Sequence, residues 1–151
     1  MLMIALPIYR LQLKLIKINL LYNMENISIK SSPETPYFPE VNFDAGTGIC
    51  EIAGESYMEE TYKFYLPLTT WIKEYISSIK GKIELNIKLI YLNTSSTKCI
   101  LDILETLKDY EDNGGKVNVI WYYDKEDPDM IDEVEDFEAE SGIKIEMREL
   151  V

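Results

Sequence analysis

The sequence predicts an α/β domain, a sheet joined through βαβ crossovers and covered by about three helices. Two observations carry this: short apolar strands alternate with helix-length segments, and the punctuation between them is regular. No internal repeat and no second domain is visible in the 151 residues, a length that fits one domain with an ordinary core.

Residues 1–23 stand apart. They are rich in Leu and Ile, carry Arg10, Lys14 and Lys17, and contain no acid. The charges interrupt the apolar run, so neither a secretory signal nor a bilayer span fits. The alternation over residues 10–18 reads as a strand or as an amphipathic membrane-surface segment. We expect Met24 to be the true start and residues 1–23 to be an upstream translation artefact or disordered. A partner-binding or membrane-touching extension is the alternative. Residues 24–151 form the domain.

From Met24 a Pro-rich lead-in, Ser32–Pro39, brings the chain to short strands at Val41–Phe43 and Gly48–Ala53. Asp44-Ala45-Gly46-Thr47-Gly48 between them reads as a hairpin turn. It is not a phosphate loop, because no Lys-Ser/Thr pair and no helix follow directly. A helix over Glu59–Ser78 places Tyr65, Leu68, Ile72, Ile76 and Ile79 on one face, with Pro67 expected in its first turn or at a kink. Lys82–Leu92 alternates clearly as a strand and ends in the apolar run Leu89-Ile90-Tyr91-Leu92.

Ile100, Ile103, Leu104 and Leu107 then mark a second helix that stops at Asn113-Gly114-Gly115. Val117–Tyr123 is nearly all apolar, as expected of a strand buried on both faces. Asp127 and Pro128 supply the cap and first residue of a third helix, closed by Gly142, and Ile143–Met147 is the last strand.

Composition excludes much chemistry. The chain has no histidine, so a Ser-His-Asp triad, a Cys-His pair and a histidine metal site cannot be built. Cys50 and Cys99 lie in apolar stretches and read as core residues of a reduced, cytoplasmic protein. Of 27 acidic and 15 basic residues, 17 acids and 5 bases follow Leu101, so the net charge of -12 originates in that last third. Nucleic acid and membrane surfaces are therefore poor partners. Asp124–Asp129 resembles a calcium loop in composition alone, since Pro128 takes a ligand position and the turn glycine is missing. We expect no metal, no cofactor and no catalytic residues.

The most informative segment is Tyr91-Leu92-Asn93-Thr94-Ser95-Ser96-Thr97-Lys98, where a central strand ends and a helix begins. In open α/β sheets, ligands and partners meet the domain at that end of the strands. Hydroxyls there cap the helix, and most such runs do nothing more. The same place favours a negative group, because free amides and the helix dipole converge on it. A phosphate on Thr94 would draw on those amides and on Lys98 one turn along.

The block Leu89–Ser96 followed by Lys98 resembles the signature of the SiaC family of bacterial regulatory phosphoproteins, relatives of STAS domains and anti-sigma-factor antagonists. The likeness extends to Ser32–Pro36, Gly54-Glu55-Ser56-Tyr57, Trp71 and Trp121-Tyr122-Tyr123-Asp124, spanning Met24 to Met147. It implies a single STAS-like domain with a mixed sheet, and a substrate of signalling enzymes rather than a catalyst. By that resemblance a partner kinase phosphorylates Thr94, with Ser95 as fallback, and a PP2C-like phosphatase removes the phosphate. Asn93, Ser95, Ser96 and Lys98 would contact the phosphate or the partner. The unphosphorylated form would bind and activate a diguanylate cyclase, raising cyclic di-GMP and promoting biofilm formation. Two other roles remain open: an antagonist that sequesters an anti-sigma kinase, and a ligand-sensing module. Pro67 and residues 1–23 depart from the family pattern.

Overall fold

The computed structural model describes residues 2–151. Its elements in chain order are α1 (Leu2–Asn23), β1 (Ile27–Ile29), β2 (Glu40–Phe43), β3 (Ile49–Ser56), α2 (Thr61–Ser78), β4 (Ile83–Leu92), α3 (Thr94–Asp112), β5 (Val117–Tyr123), α4 (Pro128–Ser141) and β6 (Ile145–Glu149). The six strands lie in one mixed sheet in sequence order. β1, β2 and β3 are antiparallel neighbours, and β3 through β6 run parallel.

A sheet whose parallel strands advance one way through right-handed crossovers must carry its crossover helices on one face. Burial agrees. Cys50, Ile52, Ile83, Leu85, Ile87, Leu89, Val119, Trp121 and Ile145 join residues of α2, α3 and α4 in one core. The alternate residues face away and are largely polar. Lys88 pairs with Glu51 at 3.0 Å and lies over the Tyr122 ring.

The reading of β5 as buried on both faces holds only at its centre, where Val119 and Trp121 face the helices and Ile120 is buried on the opposite face. Only Val119, Ile120 and Trp121 are buried, while Asn118 is exposed and Tyr122 and Tyr123 are half-buried.

The hairpin between β2 and β3 forms as expected. Asp44 accepts from the Gly46 amide at 2.9 Å and from the Thr47 hydroxyl at 3.0 Å. Gly48 has φ +74°, and a Cβ there would lie 2.1 Å from the Lys82 carbonyl oxygen. Only glycine fits that approach.

Pro67 is not in the first turn, because α2 begins at Thr61 and continues through it, which leaves Pro67 inside the helix. The cost is one lost amide donor to the Lys63 carbonyl. Both residues are exposed, so water can serve that carbonyl.

Residues Leu2–Asn23, left open as strand, amphipathic segment or disorder, form a helix. Residues 5–19 are exposed throughout. Met1, and with it the choice of start between Met1 and Met24, lies outside the described residues. Among those residues no helix is long and apolar enough to cross a membrane.

Candidate functional site

The site is the junction between β4 and α3. Asn93 is the N-cap of α3, and its side-chain oxygen accepts the Ser96 amide at 2.8 Å. The Asn93 amide donates to the Ser56 carbonyl at 3.0 Å, which ties the junction to the end of β3. The Thr97 amide donates to the Asn93 carbonyl at 3.0 Å. Capping thus leaves the amides of Thr94 and Ser95 with no partner among the described residues. They are two donors at the positive end of a 19-residue helix, the arrangement that favours an anion.

The expected site residues divide by exposure. Thr94, Ser95 and Lys98 are exposed and Asn93 is half-buried. Lys98 makes no ion pair among the described residues. Ser96 departs from the expectation of a partner- or phosphate-contacting residue, because its side chain is fully buried. Its hydroxyl lies 2.7 Å from the Ser56 hydroxyl and 2.9 Å from the Ser56 carbonyl. The Ser56 hydroxyl is in turn 2.7 Å from the Tyr65 hydroxyl. Ser96 therefore fastens the helix start from beneath.

Three hydroxyl protons serve this cluster, and one ordering uses all of them. Tyr65 donates to the Ser56 hydroxyl, Ser56 donates to the Ser96 hydroxyl, and Ser96 donates to the Ser56 carbonyl. Burial pushes the Tyr65 phenol above its ordinary range, so it stays protonated and able to donate. Sequence reasoning missed Tyr65 as part of the junction. Ser56 was present in the Gly54–Tyr57 motif, but nothing local to that motif shows what it touches.

A second missed feature lies beside Thr94. The β3–β4 register shifts between Gly54 and Glu55, so that Gly54 pairs with Leu89 and Glu55 with Tyr91. Ile90 is the extra residue of a bulge. Ile90 and Tyr91 are consequently both exposed, at 55% and 53%. Tyr91 meets Tyr57 edge-on at 5.4 Å, and Tyr57 meets Tyr37 at 4.6 Å. The result is an aromatic patch adjoining the free hydroxyls. On the other side, the Thr97 hydroxyl donates to Glu133 of α4 at 3.0 Å. Burial, together with Asp127 and Asp136, holds the Glu133 carboxyl above the usual range, against the lowering effect of the Thr97 hydrogen bond.

Known proteins resemble this chain in sequence and in fold. Residues 32–150 match the family described as SiaC family regulatory phosphoprotein. An uncharacterized protein of Pseudomonas aeruginosa is 30% identical over 105 residues, covering 70% of this chain and 83% of its own. Among solved structures, apo-SiaC from Pseudomonas aeruginosa superposes with TM-score 0.76 at 26% identity, over 83% of this chain and 99% of that one. SiaC of the same organism in complex with the diguanylate cyclase SiaD, which it activates, gives TM-score 0.76 at 25% identity, over 82% of this chain and 99% of that one. This chain belongs to the SiaC family of regulatory phosphoproteins.

Proposed function

We propose that this protein is a non-enzymatic, cytoplasmic switch whose unphosphorylated form binds and activates a diguanylate cyclase. A partner kinase transfers a phosphoryl group to the Thr94 hydroxyl, which loses its proton, and the cyclase is released. A PP2C-like phosphatase resets the switch by hydrolysis. Ser95 is the fallback acceptor, and Lys98 with the two free amides receives the phosphate.

The observation that carries this reading is the exposed, unengaged Thr94 hydroxyl at a helix start, next to an aromatic patch. The relative solved with a cyclase supports the choice of partner. A phosphate adds about -1.5 to -2 charges at neutral pH. If a partner covers Tyr57, Ile90 and Tyr91, its edge must then strip water from the outward side of that charge with no group of its own placed to replace it. A penalty of a few kcal/mol, roughly a hundredfold in affinity, is enough to release a moderate complex.

The test reconstitutes the protein with the diguanylate cyclase and the kinase of its own cells and follows cyclic di-GMP synthesis. Kinase and ATP should abolish activation by the parent and by Ser95→Ala, and leave Thr94→Ala fully active. Loss of activation by kinase-treated Thr94→Ala equal to that of the parent refutes the assignment.

A further inference from the structure

The helix α1 presents Leu6, Ile8, Tyr9, Leu11, Leu13, Leu15, Ile16 and Ile18 to solvent, each about half exposed. So much apolar surface on one isolated helix calls for a cover. Its three cations, Arg10, Lys14 and Lys17, recur at i, i+4 and i+7 and form one stripe about 10 Å long.

A groove of matching character lies between α2 and α3. One wall offers Tyr62 and Leu66, exposed at 66% and 46%. Cys99 lies at its floor, and the other wall carries Asp102, Glu105 and Asp109. These acids recur at i, i+3 and i+7 on α3, again one stripe about 10 Å long. Lys73, from α2, is the cation of this groove, which remains net acidic. The neighbouring groove between α3 and α4 holds five carboxylates, but its one apolar lining residue, Phe137, is buried.

We propose that α1 seats in the α2–α3 groove of a second copy of this chain, with Arg10, Lys14 and Lys17 against Asp102, Glu105 and Asp109. Its own groove opens on the side of α2 away from the anchor of α1. Met24 is buried and the Glu25 carbonyl accepts from the Trp71 indole at 2.7 Å, so the chain is pinned directly after α1. Trp71 lies about 200° around α2 from the groove residue Thr69. Folding back would require a rigid helix to cross the full width of α2. Reciprocal exchange between two copies needs no such crossing and closes as a symmetric dimer.

A lipid surface fits less well. Gln12 and Asn19 fall about half a turn from Arg10 and interrupt the face that would enter lipid. The remainder of the chain carries a net charge of -15, which anionic lipid repels.

The test is the mass of the intact chain in solution by light scattering and sedimentation, with circular dichroism confirming that each variant folds. The full chain should be a dimer. Reversing the helix stripe (Arg10→Glu, Lys14→Glu, Lys17→Glu) or the groove stripe (Asp102→Lys, Glu105→Lys, Asp109→Lys) should weaken it by roughly tenfold or more. Mixing the two reversed proteins should restore it, since each exchanged pair is complementary again. Asp132→Lys with Asp136→Lys on α4 should leave the dimer unchanged. A monomeric parent, reversals without effect, a mixture that stays monomeric, or binding of the parent's α1 to anionic vesicles in preference to itself overturns the proposal. So does an intact mass from the native cells showing a chain that begins at Met24.

Discussion

Replacing Ser96 by alanine tests whether the buried hydroxyl cluster holds the start of α3. The Ser96 hydroxyl is fully buried, accepts from Ser56 at 2.7 Å and donates to the Ser56 carbonyl at 2.9 Å. Its removal leaves the Ser56 and Tyr65 hydroxyls, 2.7 Å apart, with two protons for the one bond between them, and the Met58 sulfur, 4.0 Å from the Ser56 hydroxyl, is a poor acceptor for the other. The Ser56 carbonyl keeps the Asn93 amide. One unsatisfied buried donor costs about 1–3 kcal/mol. With a urea slope of about 2 kcal/mol/M, a cost of about 2 kcal/mol lowers the midpoint by about 1 M.

Tyr65→Phe is the paired control. It removes the proton donated to Ser56 but leaves Ser56 able to donate to Ser96, so no donor is orphaned and about 0.5–1.5 kcal/mol is lost. Equilibrium urea unfolding of both variants at unchanged slope gives the comparison. A Ser96→Ala midpoint equal to the parent's, or a larger loss in Tyr65→Phe, refutes the proton ordering.

Three further outcomes are expected. Asn93→Ala removes the cap on the Ser96 amide and should cost about 1 kcal/mol in urea unfolding, with faster hydrogen exchange confined to the first turn of α3. Gly48→Ala should be among the most damaging single changes, because its Cβ would meet the Lys82 backbone at 2.1 Å with φ at +74°; a melting temperature near the parent's would contradict this. Glu133→Gln keeps an acceptor for Thr97 and removes the charge disfavoured by burial, Asp127 and Asp136. A carboxyl raised in the folded state contributes stability that is present below its ordinary pKa of about 4.3 and is lost as pH rises through the raised value. The variant should therefore gain on the parent at pH 7 and lose that advantage on acidification through this window; a melting difference that does not vary with pH would count against it.

The elements legible in the sequence are those whose signal is local. Asp127 caps α4 by accepting the Met130 amide at 3.2 Å, and Gly142 closes it at φ +74°, each visible from the residue type alone. β1 escaped notice because Ile27-Ser28-Ile29 is too short to show a period, and becomes a strand only by pairing with Val41–Phe43. The run Leu89-Ile90-Tyr91-Leu92 looks uniformly apolar. Which of its members face outward depends on the register against Gly54 and Glu55, and no local pattern encodes that. The same limit applies to Ser96. Its type is that of a cap or a surface hydroxyl, and its burial follows from Ser56 and Tyr65, 40 and 31 positions away.

The four consecutive hydroxyls at the junction are chemically similar, and packing is what separates them. Ser96 is committed beneath the helix, and Thr97 is committed to the Asn93 carbonyl at 3.2 Å and to Glu133 at 3.0 Å. A phosphate on Ser96 would have to break the core, and one on Thr97 would face a carboxylate. A phosphate on Thr94 or Ser95 breaks no internal hydrogen bond among the described residues and finds two free amides close by. The helix dipole favours charge at that end by about 0.3–1 kcal/mol. Modification there should therefore leave the fold as stable as before or slightly more so. Its consequence cannot be transmitted by unfolding α3, and must be felt where a partner's surface would lie against Thr94 and the neighbouring tyrosines.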